Sequence, residues 1–123
     1  MRRKIYDRLL RWKNEAKGDS VLMIEGARRV GKSYIVEEFA RNEYSHHVII
    51  DFNNTTNQIK SLFTDYLNDL DSFFQYLSYY TNEDLVERDT LIVFDEVQKF
   101  PEARAALKYL VKDGRFDYIE TRS

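Results

Sequence analysis

Short unbroken apolar runs alternate along this chain with longer stretches in which apolar residues recur every three or four positions. The runs are Val21-Leu22-Met23-Ile24, His47-Val48-Ile49-Ile50-Asp51-Phe52, Leu91-Ile92-Val93-Phe94 and Phe116-Asp117-Tyr118-Ile119-Glu120-Thr121. Runs this short, bounded by polar or turn residues, predict strands at about 21–25, 47–52, 91–95 and 116–121. The continuous apolar character of 91–94 is that of a central parallel strand covered on both faces. Between the runs the period changes. Ile5, Leu9, Leu10 and Trp12 predict a helix over 4–16, broken by Gly18-Asp19-Ser20, and Tyr34 to Ala40 have helical spacing. Leu62, Phe63, Tyr66, Leu67, Leu70, Phe73, Phe74 and Leu77 predict an aromatic-rich helix or helix pair after the polar loop 53–57. That stripe reads as core, with nucleobase stacking the alternative. Pro101 opens a last helix through Ala103 to Val111, and Asp113-Gly114 stops it. Helices alternating with apolar strands indicate an α/β fold, a parallel sheet with flanking helices, in a single domain over 1–123 whose residues 1–19 lead into the first strand.

Directly after the first strand comes Gly26-Ala27-Arg28-Arg29-Val30-Gly31-Lys32-Ser33, which holds two of the chain's four glycines and matches G-x-x-x-x-G-K-[ST]. A loop of this length lets successive backbone N–H groups curl around phosphates, and glycine tolerates the positive φ and close approach that this needs. Lys32 is then expected to reach the β- and γ-phosphates, Ser33 to offer its hydroxyl to Mg²⁺, and the following helix to point its positive end at the anion. Strand, loop and helix occur in the order a P-loop nucleotide site requires. Arg28 and Arg29 add charge beside the loop, although variable positions of such loops often point outward.

An apolar strand ending in Asp95-Glu96 supplies what the loop lacks. A strand-end Asp helps to hold Mg²⁺ in P-loop hydrolases, and an acidic neighbour can polarise the attacking water. Asp95 is accordingly the metal-shell candidate with Ser33, and Glu96 the catalytic base. Asp51, ending the second strand, lies where ligands of open α/β sheets bind, or else caps the next loop. His46 and His47 are adjacent on a strand and face opposite ways, which argues against a zinc site.

Composition narrows the setting. Of 123 residues, 43% are hydrophobic and 33% charged, and no segment approaches the length of a membrane span. The basic start is interrupted by Asp7 and continues with Arg8 and Arg11, unlike a signal peptide, so a cytoplasmic location is expected. There are no cysteines, which excludes disulfides and thiolate metal sites. The net charge of -2 is unevenly spread: residues 1–17 hold seven basic side chains against Asp7 and Glu15, and residues 51–87 hold seven acidic ones against Lys60 alone. A basic first helix touches nucleic acid in one reading and is a solvated face in the other.

The segments GARRVGKS (26–33), LIVFDEVQKFP (91–101) and DYIETRS (117–123) give the chain a family resemblance. It resembles the N-terminal part of prokaryotic AAA+-type ATPases, in which a P-loop domain precedes a C-terminal domain of poorly defined function. The resemblance extends over essentially the whole chain. It implies an AAA+-like P-loop NTPase fold, ATP rather than GTP, and Mg²⁺. It also implies a polar sensor beside the γ-phosphate at Thr121 and Ser123, so that Glu96, Lys32 and Thr121 form the catalytic set. The family carries Thr-Gly-Ser there, whereas this chain has Arg122 in place of the glycine, and arginine lacks glycine's backbone freedom.

Family members continue past this point with another strand and a helical lid, so the chain is expected to be a truncated N-terminal part with an incomplete sheet. The strand feeding the phosphate loop would then be an exposed apolar edge that invites self-association. Three functions follow as expectations: a Mg²⁺-dependent ATPase, a nucleotide-binding module without turnover, and a nucleic-acid-processing ATPase.

Overall fold

The computed structural model describes residues 2–26 and 31–123. The elements run α1 (Arg2–Ala16), β1 (Leu22–Glu25), α2 (Lys32–Glu43), β2 (His46–Asp51), α3 (Asn57–Asp65), α4 (Leu70–Thr81), β3 (Thr90–Asp95), a 3-10 turn (Val97–Lys99), α5 (Pro101–Asp113) and β4 (Asp117–Arg122). Each boundary has a local cause. The Thr56 hydroxyl accepts from the Ile59 amide to start α3, and Asp69 accepts from the Ser72 amide to start α4. Pro101 occupies the first turn of α5, and Gly114, at φ 83°, turns the chain out of it.

Among the described residues the strands form one sheet in the order β1-β4-β3-β2, parallel at every pairing. The last strand thus inserts between the first and the third. That insertion sets Thr121 beside Ile24 and Arg122 beside Glu25 at one end of the sheet, where the Gly26 amide donates to the Arg122 carbonyl at 3.2 Å.

Successive residues of β3 serve opposite faces, which is why the run 91–94 is apolar without interruption. Leu91 and Val93 join Ile24 and Ile119 under α1 and α2, with Leu9, Trp12, Ile35, Val36 and Phe39. Ile92 and Phe94 join Val48, Ile50 and Tyr118 under α3, α4 and α5. The aromatic stripe is therefore core on its inner side: Phe63 meets Phe73 edge to face at 5.1 Å, and Phe74 meets Phe116 at 4.8 Å. Its outer side, Tyr76, Tyr79 and Tyr80, stays exposed.

β1 stands at the edge of the sheet. Its outer rim is partly covered by α1, since the Arg8 guanidinium donates to the Met23 carbonyl at 3.3 Å and the Trp12 indole N–H to Ser20 at 3.0 Å. No described helix is long and apolar enough to cross a membrane.

Candidate phosphate and metal site

The C-terminal ends of β1, β4 and β3 converge with the N-terminus of α2. Gly31 precedes α2 at φ 73°, ψ 21°, and a Cβ there would meet nothing within 4 Å. Its glycine is a matter of backbone conformation, not of space. A helix start of this kind presents N–H groups that lack intrahelical carbonyls and carries the positive end of the helix dipole, the kind of donor set that binds phosphate. Ala27, Arg28, Arg29 and Val30 lie outside the described residues, and Gly26 and Gly31 bracket them.

Lys32 is 1% exposed, although it is a lysine. Its ammonium donates to the carbonyls of Gly26 (2.9 Å) and Arg122 (2.7 Å) and to the Ser123 hydroxyl (3.1 Å), and pairs with Glu96 Oε2 at 3.3 Å. Its three donors thus have four partners among the described residues. Three strand ends supply these acceptors, so only the inserted β4 makes the arrangement possible.

Glu96 is 3% exposed and sits just past β3 at φ 57°, ψ 50°, a left-handed conformation uncommon for a non-glycine residue. That turn aims its carboxylate away from that of Asp95. Ser123 Oγ lies 2.7 and 2.8 Å from its two oxygens, and Gln98 Nε2 donates to Oε1 at 2.9 Å. Burial alone would raise the Glu96 pKa. The hydrogen bonds from Gln98, Ser123 and Lys32, together with the Lys32 charge, outweigh it and hold the group at about 2.

Asp95 faces the other way. Thr121 donates to its Oδ1 at 2.6 Å while accepting from the Glu96 amide at 3.0 Å, so one hydroxyl ties both acidic residues together. The Ser33 hydroxyl approaches the same Oδ1 at 3.4 Å. A hydroxyl and a carboxylate facing each other at a helix N-terminus are hard oxygen donors, the set that Mg²⁺ takes along with waters and phosphate oxygens. Among the described residues no group of three or more His, Cys, Asp or Glu side chains could hold a metal ion unaided.

Beside this pair opens a cavity of about 350 Å³, whose lining includes Ser33, Tyr34, Ile49, Asp51, Asp95 and Thr121. Asp51 stands opposite Asp95 in the β2–β3 register, and its Oδ1 accepts from the Asn53 amide at 3.0 Å. It therefore both lines the cleft and caps its own loop. His46 and His47 lie at the far end of β2, opposite Thr90 and Leu91.

The structure thus brings Gly26, Gly31, Lys32, Ser33, Asp95, Glu96, Thr121 and Ser123 to one end of the sheet. Arg122 belongs to β4 and is not among the residues with positive φ, so this backbone does not use the freedom that glycine would offer there. Sequence reasoning missed two features, the Lys32–Glu96 ion pair and the Gln98 contact. For Gln98 a signal existed in its position two residues after Glu96, within the turn. The ion pair joins residues too distant in the chain for any spacing rule to reveal.

From Gly18 to the end, the chain matches the model of a family described as an AAA domain, over residues 18–123. No curated protein and no solved structure matches it.

Proposed function

The chain belongs to the AAA domain family, and on that premise we propose that it binds ATP with Mg²⁺ and hydrolyses the γ-phosphate. One observation carries this reading. Among the described residues a buried lysine at the start of α2 is held by carbonyl, hydroxyl and carboxylate oxygens, which are the kind of partner that phosphate oxygens replace.

In this reading the N–H groups of the first turn of α2, with the loop from Gly26 to Gly31, cradle the phosphates. Lys32 exchanges Glu96 for the β- and γ-phosphates. Ser33 and Asp95 would hold Mg²⁺, which when bound neutralises charge on the phosphate oxygens. Thr121 keeps Asp95 turned toward Ser33 by its 2.6 Å hydrogen bond. Glu96 is a poor base while the hydrogen bonds from Gln98, Ser123 and Lys32 and the Lys32 charge together hold it at about 2. Losing Lys32 to the phosphates raises its proton affinity, so that nucleotide binding itself readies Glu96 to orient and polarise water. Ser123, within reach of both Lys32 and Glu96, is the group that senses the exchange.

A second reading rests on the same closure: if Glu96 stays clamped by Lys32, Gln98 and Ser123, the domain holds nucleotide without turning it over. Titration with Mg·ATP followed by a phosphate-release assay separates the two. Wild type should bind and release phosphate, and Lys32→Ala should bind at least tenfold more weakly, about 1.4 kcal/mol or above. Equal affinities for mutant and wild type remove Lys32 from the site, and binding without release selects the second reading.

A further inference from the structure

The two carboxylate oxygens of Glu96 have different partners. Lys32 approaches Oε2 at 3.3 Å, the Gln98 amide donates to Oε1 at 2.9 Å, and the Ser123 hydroxyl reaches both. The partners also differ in where they are anchored. Lys32 heads α2 and Ser123 follows β4, whereas Gln98 stands two residues beyond Glu96 in the 3-10 turn that Glu96 itself begins.

That turn is held from both sides. The Glu96 amide donates to the Thr121 hydroxyl at 3.0 Å, and the amides of Lys99 and Phe100 donate to the carbonyls of Glu96 and Val97, each at 3.0 Å. Val97 is buried, and the Phe100 ring stacks on Phe52 at 5.7 Å and meets Phe63 edge to face at 5.8 Å. Gln98 is thus carried on a fixed backbone and meets Glu96 from one direction.

Its amide also has only one way round. A carboxylate accepts and does not donate, so the Gln98 nitrogen must face Glu96. The carbonyl Oε1 of the same amide is then left buried with no hydrogen-bond partner among the described residues. A buried acceptor without a donor costs stability. The hold on Glu96 is what offsets that cost.

We propose that Gln98 is a positioning residue for hydrolysis: by binding Glu96 Oε1 it leaves Oε2 as the oxygen presented to the attacking water. This rests on the reading of Glu96 as the base. Oε2 is the oxygen that Lys32 vacates when it turns to the phosphates, while Gln98, being in the same turn as Glu96, keeps Oε1. The water oxygen then bonds to the γ-phosphorus as the bond from that phosphorus to the β–γ bridging oxygen breaks. Oε2 takes the water's proton, and the electron pair of the broken bond leaves with ADP. Gln98 touches neither water nor nucleotide; it fixes the geometry in which the proton is taken.

Kinetics on the full chain test this with Gln98→Met, which keeps length and removes the amide, and Gln98→Leu as a second form should the first melt early. Each should lower kcat for phosphate release tenfold or more, with KM and the titrated Mg·ATP affinity within twofold of wild type. Added to Glu96→Gln, Gln98→Met should remove almost nothing further, because it acts only through that carboxylate; a structural role would add its own loss. A readout free of turnover comes from the nucleotide-free protein. The Gln98 side-chain amide, identified in ¹⁵N spectra as the signal missing from Gln98→Met, should shift when Glu96→Gln removes the charge it faces. Wild type that releases no phosphate overturns the hydrolysis reading and this inference with it. Where wild type does release phosphate, four results overturn this inference alone: an unchanged kcat, a matched fall in Mg·ATP affinity, additive losses in the double variant, or an unshifted amide. Faster release from Gln98→Met overturns it too, since Gln98 would then be a latch on the resting site.

Discussion

Each end of this parallel sheet closes around an ion pair with a buried member, and the two are built differently. At the C-terminal end, Lys32 and Glu96 face each other, and the remaining partners of Lys32 are two carbonyls and a hydroxyl. At the N-terminal end, Asp117 of β4 receives the Tyr44 hydroxyl on one oxygen and the Arg88 guanidinium on the other. Arg88 also donates to the Gly114 carbonyl at 3.1 Å, and its own amide donates to Arg115 at 2.7 Å. Burial, and then the hydrogen bond to Asp117, push the Tyr44 hydroxyl well above its usual range, so it stays a donor.

In the second network the buried carboxylate of Asp117 is held by two side-chain donors from separate segments, Tyr44 and Arg88, and the half-exposed Arg88 is tied to the Gly114 carbonyl as well. In the first, a cation sits at a helix N-terminus among oxygens that an incoming anion can replace one for one. Burial of a charge pair says little about its purpose; whether its partners can be exchanged says more.

Asp117→Ala should cut deepest into this contrast. It strands the buried Tyr44 hydroxyl and unties Arg88, so stability in a denaturant titration should fall by about 3 kcal/mol, while the folded fraction keeps its affinity for Mg·ATP. A loss of affinity without a loss of stability would reverse the roles assigned to the two ends.

Glu96→Gln should act in the opposite sense. Phosphate release is expected to drop about a hundredfold, the scale of a lost general base, with ATP affinity held, because only an interaction of the transition state is removed. A matched fall in binding would instead place Glu96 in the ground-state metal shell.

A smaller effect is expected from Gly18→Ala. Gly18 has φ 87°, and a Cβ there would lie 2.6 to 2.8 Å from the Arg88 guanidinium, which is already anchored to Gly114 and Asp117. Stability should fall by about 1 kcal/mol. A thermal midpoint unchanged from wild type would show that Arg88 moves aside freely.

The pH response is the mildest probe. Glu96 has its folded pKa lowered from 4.5 to about 2, so its contribution to stability is fully present above about 4.5 and is lost as pH falls toward 2. Glu120, buried on β4 beside Arg104, is shifted the other way: burial raises it against the pull of the Arg104 and Arg122 charges. Its contribution is complete at low pH and is lost as pH rises through its folded pKa. Acid unfolding of Glu96→Gln should therefore have a shallower slope than that of wild type between pH 4.5 and 2. An identical slope would mean that Lys32, Gln98 and Ser123 do not hold the carboxylate in solution.

Much of this architecture was legible in the chain because it depends on local spacing. The phosphate-loop pattern needs only eight consecutive residues, and the unbroken run Leu91 to Phe94 announces a strand covered on both faces. The aromatic stripe declared its inner side by helical period, with Phe63, Phe73, Phe74 and Leu77 in the core. Less legible was how Asp95 and Glu96 diverge. Neighbouring strand residues face opposite ways, but the left-handed turn at Glu96 and the shared Thr121 hydroxyl are what separate the two carboxylates.

By itself, the sequence determined which residues form strands and helices and that a strand, a glycine loop and a lysine-headed helix follow one another, since period, caps and turn chemistry act over a few residues. Only the tertiary structure decided that β4 would insert between β1 and β3. That placement delivers Thr121 to Asp95 and delivers Ser123 and the Arg122 carbonyl to Lys32. It also lets Lys32 and Glu96 neutralise each other out of water, a pairing that no local rule encodes because it joins separate strand ends whose meeting depends on the order of the sheet.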